Sequence, residues 1–318
     1  MKAVVLDGHA LNPGDLSWEG IESLCELTVY ERTPKELIIE RIKDAELIIT
    51  NKVKITKEIL ELAPHIKYIG ILATGFNIVD LEAANKLNIT VTNIPSYSTE
   101  AVAQHVFSLL LEITNQVSSH NRAVKEGQWT NNDDFCFWNT PLIELSNKTI
   151  GIIGFGSIGQ KVSEIANAFS MNVLTYNRTV KREYEHDRLK FVSLDELCER
   201  SDVISIHVPL SDQTKGLINE QLINKMKKGV IIINTARGPI INEHDLYQAL
   251  KSDHVYSAGL DVVSEEPIKA NNPLLNAKNT FITPHIAWAP NETRLRLLEI
   301  ATKNIKAFLE GKPINVVN

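Results

Sequence analysis

The segment Val230–Glu243, VIIINTARGPIINE, runs four β-branched apolar residues into Asn234, Thr235 and Ala236 and then delivers Arg237. A guanidinium at the end of a buried strand cannot lose its charge, so it needs an anion from the protein or from a ligand. Two later segments bring further chemistry to strand ends: AGLDVVSEEP carries Asp261, Glu265 and Glu266, and TFITPHIAWAP carries His285 directly after Pro284. A cation, a carboxylate and an imidazole on one edge suit the reduction of a carbonyl that itself bears a carboxylate. Arginine holds the carboxylate in a forked pair. The imidazole supplies the proton, and a neighbouring carboxylate orients the ring and favours its protonated form. Taken singly, each has a plainer reading: an internal ion pair for the arginine, a solvated loop for the glutamate, a structural role for the histidine.

A glycine turn favours the joint reading. TIGIIGFGSIGQKV places Gly154, Gly156 and Gly159 directly after an apolar strand and at the start of a helix. In that context the three glycines serve a tight turn, room for a pyrophosphate, and close helix–strand packing. The helix amino terminus then offers free N–H groups and a positive dipole end to phosphates. A dinucleotide reading asks for an acid at the end of the next strand, about 20 residues on, to bind the ribose 2′-hydroxyl. That position is Asn177, followed by Arg178. Asparagine still accepts from a hydroxyl and does not repel a 2′-phosphate, and Arg178 attracts one, so both NAD and NADP remain open. The first strand of the chain leads instead into Gly8-His9-Ala10, which lacks the glycine spacing.

The elements that must position these groups alternate along the chain. Strands are expected at Lys2–Leu6, Leu27–Tyr30, Glu46–Thr50, Lys67–Leu72 and Ile89–Ile94, with helices at Pro34–Asp44, capped by Thr33, and Thr56–Leu62. A long helix is expected after Pro95, capped by Ser98 or Thr99 and running to about Glu126, and then an excursion over Gly127–Asn147 with little periodicity. A second series of strands follows at Thr149–Ile153, Asn172–Tyr176, Val203–Val208, Val230–Asn234, Tyr256–Leu260 and Thr280–Ile282. A last helix over Asn291–Glu310 stops at Gly311 and Pro313. Strands alternating with helices predict an α/β fold of parallel sheets covered on both faces, here two doubly wound units.

The bulk composition bounds the function. At 318 residues the chain suits roughly two domains of ~150 residues each. A net charge of −6 argues against nucleic acid or an anionic membrane surface as partner, since both need a basic face. No apolar run reaches the ~18 residues of a membrane span, and the amino terminus, MKAVVLDGHALNPGD, has an acid and a turn where a signal peptide has an apolar run. The three cysteines, Cys25, Cys136 and Cys198, form no CxxC pair and read as reduced thiols of a cytoplasmic protein.

GIIGFGSIG, HVPLSDQTKGLIN, INTARGPIIN, AGLDVVSEEP and TPHIAW together resemble the D-isomer-specific 2-hydroxyacid dehydrogenases, over essentially the whole chain. VLDGHALNPGDLSW and HIAWAPNETRLRL resemble most the glycerate dehydrogenase or hydroxypyruvate reductase branch. The resemblance implies a discontinuous arrangement: residues 1–98 plus 288–318 as a flavodoxin-like substrate domain, and 99–287 as a Rossmann dinucleotide-binding domain. It implies that Arg237 binds the substrate carboxylate and polarises the carbonyl, that His285 is the acid/base, and that Glu266 pairs with His285. Ala73, Thr74 and Gly75 offer backbone N–H groups to the substrate. Ser157, Ile158, His207, Pro209, Thr214, Thr235 and Ala236 join the three glycines, Asn177 and Arg178 around the cofactor, with Asp261 on the nicotinamide carboxamide. The resemblance further implies no metal, and a homodimer built on the long helix and the 127–147 excursion, from which Trp138 reaches the neighbour's cleft. Formate dehydrogenases of this family carry Gln where Glu266 stands. The activity implied is hydride transfer between a nicotinamide cofactor and a small 2-oxo acid, hydroxypyruvate or glyoxylate, giving D-glycerate or glycolate. The competing reading is a dinucleotide-sensing interaction protein, like the related C-terminal-binding corepressors.

Overall fold

Short β-branched runs without polar alternation become strands buried on both faces, which is how parallel sheets read in sequence. The computed structural model describes residues 1–318. It divides into two units, Met1–Ser98 with Ala289–Asn318, and Thr99–Trp288.

The smaller unit holds β1 (Lys2–Val5), β2 (Glu26–Val29), β3 (Leu47–Thr50), β4 (Tyr68–Ile71) and β5 (Thr90–Thr92), all parallel, in the order β2-β1-β3-β4-β5. This is the flavodoxin-like order. Val4, Ile48, Ile69 and Ile71 lie in its core beside Ile42, Leu60 and Ala84 from the covering helices. The helix Asn291–Leu309 covers the other face, with Phe308 against Tyr68 at 4.8 Å between ring centroids. Arg294 of that helix is anchored by a forked pair to Asp15, at 2.8 and 2.6 Å.

The larger unit holds β6 (Thr149–Ile153), β7 (Asn172–Tyr176), β8 (Leu189–Phe191), β9 (Val203–Ile206), β10 (Val230–Asn234), β11 (Val255–Leu260) and β12 (Thr280–Ile282). The order β12-β11-β10-β9-β6-β7-β8 is parallel throughout and reverses direction at β6/β9, as in a Rossmann sheet. One face packs on the helix Thr99–Asn115 through Val106, Leu110 and Ile113, the other on the helices around Leu197, Leu222 and Leu246.

Local expectations are corrected at several points, among them strand β5, which spans Thr90–Thr92 rather than Ile89–Ile94. The long helix does not run to Glu126. It ends at Asn115, Gln116 adopts a left-handed conformation (φ 47°), and a second helix spans Val117–Lys125. The apolar stripe that seats the first helix stops at Ile113, and only Ala123 is buried in the second, so nothing holds the two collinear. Thr33 caps no helix. Its hydroxyl donates to the Leu6 carbonyl, and Pro34 precedes a short 3₁₀ turn, Lys35–Leu37, before the helix Ile38–Ile42. Strand β9 ends at Ile206 rather than Val208. The edge strand β8 was not expected: with three residues, one of them buried, it shows no period to read.

Candidate active site

One line of register crosses the larger sheet at its carboxyl edge: Tyr176, Ile153, Ile206, Asn234, Leu260 and Ile282 are paired neighbours on β7, β6, β9, β10, β11 and β12. The next residue on each strand is therefore Asn177, Gly154, His207, Thr235, Asp261 or Thr283. Six positions spread over more than a hundred residues of chain become one row, on the edge where open α/β sheets take their ligands.

At the β6 end the glycine turn is sterically required. Gly154 has φ 101°, and a side chain there would meet the His207 carbonyl oxygen at 2.6 Å. A Cβ on Gly159 would sit 2.2 Å from the Gly154 carbonyl oxygen. Gly156 is different: a Cβ there would meet nothing within 4 Å, so this glycine leaves open space in front of the helix Ser157–Ala168, whose amino terminus no side chain caps. Uncapped N–H groups at Ser157 and Ile158 facing open space fit a pyrophosphate. The buried Thr235 Oγ1 finds no partner in the protein, as a group awaiting a ligand would. These features fit a dinucleotide.

Asn177 is already engaged. Its Oδ1 accepts from the Phe155 N–H at 3.1 Å and its Nδ2 donates to the Thr179 carbonyl at 2.8 Å, so it ties the glycine turn to the end of β7. Arg178 beside it is exposed and makes no ion pair. Burial pushes the His207 pKa down to about 3, and its Nε2 lies 2.8 Å from Ser205 Oγ, so it presents a neutral ring at neutral pH. Thr214 closes its own loop, its hydroxyl donating to the Pro209 carbonyl at 2.6 Å.

Arg237 departs from the sequence reading. The strand before it is fully buried, but Arg237 itself is exposed, so burial does not force a partner on it. It nevertheless has no carboxylate of the chain within ion-pair distance; its Nη1 donates only to the Ala236 carbonyl, at 2.6 Å. Its backbone is held from behind by Asn234, which accepts from the Ala236 N–H at 3.0 Å and donates to the Arg237 carbonyl at 3.0 Å. Gly238 then lets the next loop approach: a Cβ there would lie 1.9 Å from the Val263 carbonyl group. That neighbouring loop carries Glu266, and Glu243 braces it by accepting from Ser264 N and Oγ, both at 2.6 Å, and from Asn272 Nδ2 at 3.0 Å.

Glu266 Oε2 lies 2.7 Å from His285 Nδ1, which leaves the far ring nitrogen, Nε2, for chemistry. Glu265, the other carboxylate of the pair, turns to Lys269 at 2.8 Å. His285 itself sits at φ 55°, a conformation that costs a residue with a side chain about 1–3 kcal/mol and persists only where the surroundings enforce it. Asp261 enforces it. Its carbonyl accepts from the His285 N–H at 2.8 Å, while its carboxylate accepts from Thr283 Oγ1 at 2.6 Å, Ile286 N at 2.9 Å and Ala287 N at 2.8 Å. Burial alone would raise the Asp261 pKa, but the hydrogen bonds from His105, Thr283 and the Ala287 and Ile286 amides outweigh it and hold the carboxyl below its ordinary value.

The sign of the resulting pH dependence is fixed. A depressed folded pKa stabilises the fold above the unfolded value of ~3.9 and ceases to do so as pH falls through the folded one. Asp261→Asn, which also turns an amide donor toward backbone N–H groups, should lower the melting temperature at pH 7, and the gap to the parent should narrow below about pH 4. A gap that stays constant from pH 7 to pH 3 would show that the charge contributes nothing.

Ala73, Thr74 and Gly75 belong to the smaller unit, in the turn after β4. Thr74 Oγ1 donates to the Ile94 carbonyl at 2.8 Å and the Thr74 carbonyl accepts from Asn93 Nδ2 at 2.7 Å, which fixes the turn while its amides stay unused by the protein. Asn234, Gly238, Glu243, Thr283 and His105 were not singled out from sequence. Each acts through a partner from about three to 178 residues away, and an isolated Asn, Glu or His carries no local mark of that.

A parallel sheet with an uncapped glycine turn, and an arginine and a carboxylate-paired histidine on the same edge, defines a nicotinamide-nucleotide-dependent dehydrogenase. Residues 107–287 match the model of the D-isomer specific 2-hydroxyacid dehydrogenase NAD-binding domain, more than half of the chain. The chain is 52% identical over 321 residues to the hydroxypyruvate reductase of Blautia hydrogenotrophica, covering 100% of both. Among solved structures it resembles an acyclic imino acid reductase in complex with NADPH and D-Arg (TM-score 0.87, 33% identity, 100% of both chains). It also resembles the D-lactate dehydrogenase of Aquifex aeolicus complexed with NAD and lactic acid (TM-score 0.84, 32% identity, 98% and 96% of the chains). The chain belongs to the D-isomer-specific 2-hydroxyacid dehydrogenase family. It is an NAD-dependent oxidoreductase that moves a hydride between 2-oxo and D-2-hydroxy acids, and the dinucleotide-sensor reading is not favoured.

Proposed function

We propose that the enzyme reduces hydroxypyruvate or glyoxylate, giving D-glycerate or glycolate, with Arg237 and His285 as its reacting side chains. The observation that carries this reading is an exposed Arg237 with no carboxylate of its own, on the same sheet edge as a histidine whose Nδ1 is held by Glu266. The bound nicotinamide supplies or accepts the hydride. Arg237 binds the substrate carboxylate and draws electron density from the carbonyl. His285 Nε2 gives the new hydroxyl its proton in reduction and takes it in oxidation, while Glu266 on Nδ1 fixes the ring and its tautomer. Similarity to a hydroxypyruvate reductase supports the choice of substrate. Steady-state rates over hydroxypyruvate, glyoxylate, pyruvate and 2-oxobutyrate, each with NADH and with NADPH, test it. The first two should give the highest kcat/KM, and preference for a longer unhydroxylated acid would overturn the assignment.

For the coenzyme, NADH is preferred with some use of NADPH. Asn177 puts no negative charge against a 2′-phosphate, and Arg178 next to it is unpaired. Asn177→Asp retains an acceptor for the Phe155 amide but adds the repelling charge, so it should raise the NADH to NADPH ratio of kcat/KM. An unchanged ratio would place discrimination of the 2′-position on other residues.

The enzyme works as a homodimer, assembled through the helix Val117–Lys125 and the following excursion. Val117, Trp129, Phe135, Trp138 and Leu142 are all more than half exposed there, and Phe135 reaches 89%. So dense an apolar surface supports an interface there. Light scattering on the purified protein should give twice the chain mass. The free thiols of Cys25, Cys136 and Cys198 suit the cytoplasm, and no helix is long and apolar enough to cross a membrane.

A further inference from the structure

His105 lies 178 residues from Thr283 in sequence, yet its Nε2 is 2.9 Å from Thr283 Oγ1 and 3.4 Å from Asp261 Oδ1. It projects from the helix Thr99–Asn115 that packs under β10 and β11, with about a fifth of its side chain exposed. The proton positions follow from the donor inventory. The Asp261 carboxylate only accepts, so the Thr283 hydroxyl, at 2.6 Å, donates to it. The Thr283 oxygen is then left to accept, and His105 must carry its proton on Nε2. The hydrogen bonds therefore run in one direction, from the His105 ring to Thr283 and from Thr283 to Asp261. The Asp261 carboxylate in turn holds the amides of Ile286 and Ala287, and its carbonyl holds that of His285.

We infer that His105 is a positioning residue for His285, acting through Thr283 and Asp261 to hold the left-handed turn that aims the imidazole. The inference rests on the acid/base reading of His285. The His105 N–H donates to the Thr283 oxygen, which reinforces the hydroxyl's bond to Asp261, and places a positive dipole end beside a buried carboxylate. Without it the Thr283 oxygen loses its donor, the hydroxyl's bond to Asp261 is no longer reinforced from behind, the carboxylate loses a charge-stabilising neighbour, and the turn gains alternatives in which His285 no longer faces the substrate. The cofactor elements at β6 and β7 take no part in this chain of bonds.

The discriminating variants are His105→Phe, which keeps the ring's packing without a donor, and His105→Gln, whose Nε2 can reach a similar point. Made in the full-length enzyme, His105→Phe should lower kcat about tenfold, roughly the worth of one net hydrogen bond. KM for the 2-oxo acid should stay within about twofold, and His105→Gln should recover most of the loss. A parent-like kcat in His105→Phe, or a loss in His105→Gln as deep as in His105→Phe, would overturn the inference. Should His105→Phe fail to fold, the pair Thr283→Ser and Thr283→Val asks the same question. Ser keeps the hydroxyl and should retain turnover, Val keeps the shape and should lose it, and equal turnover in the two sinks the proposal. His285→Ala is the reference. If it retains turnover, the reading of His285 itself is wrong; if it is inactive while His105→Phe is parent-like, only the positioning role falls.

Discussion

His285→Ala should lose the rate of 2-oxo-acid reduction by roughly 10²–10⁴-fold, the usual worth of a positioned general acid, while still binding the dinucleotide. The expectation follows from the geometry of one turn. Glu266 occupies His285 Nδ1 at 2.7 Å, so on the proposed reading proton transfer falls to the other nitrogen, and no second histidine lies in the turn to replace it. The elements proposed to hold the cofactor, Gly154–Gly159 and Asn177, lie at the ends of β6 and β7 and make no hydrogen bond to His285. Fluorescence titration with NADH should therefore give a near-parent Kd alongside the collapsed kcat. Turnover within a factor of two of the parent would remove His285 from the chemistry.

Arg237→Lys should lower kcat/KM for 2-oxo acids by roughly ten- to a hundredfold, the equivalent of about 1.5–3 kcal/mol for losing a charged hydrogen bond. The charge is conserved, but an ammonium is a point donor and cannot make the forked pair that holds a planar carboxylate. Arg237 is not held by any carboxylate of the protein, so the substitution breaks no internal ion pair, and the melting temperature should hardly move. A ketone without a carboxylate has nothing to offer the fork and should lose much less. Equal losses on both substrates would show that Arg237 shapes the loop rather than binding the acid.

Particular residues show how far each level of structure reaches. Runs such as Val230–Ile233 and Ile150–Ile153 are hydrophobic without alternation and are divided by amphipathic stretches. That pattern is local and implies parallel sheets covered on both sides, whatever the register. The turn over Gly154–Gly159 is legible largely for the same reason: the positive φ at Gly154 and the approach of Gly159 to the Gly154 carbonyl are local requirements, while the crowding of Gly154 by His207 is not. The break at Gln116 was not legible, because Val117–Lys125 keeps a helical period of its own and only the end of the core beneath the first helix stops the two from joining.

Sequence by itself determined the α/β class, the half of the chain that carries the glycine turn, and the chemical identities of the arginine, the glutamate and the histidine. Tertiary structure alone decided what those groups do to one another. It left Arg237 exposed and unpaired, where its strand implied burial. It turned Glu265 to Lys269 while Glu266 met the imidazole. It committed Asn177 to the glycine turn, and Asp261 to the loop of His285 with His105 behind it. The physical reason is the range of the interactions. Periodicity and turn chemistry arise between residues a few positions apart. Strand register and the hydrogen bonds that build the site join residues far apart in sequence, up to 178 positions for His105 and Thr283, and their pairing is set only when the whole sheet packs.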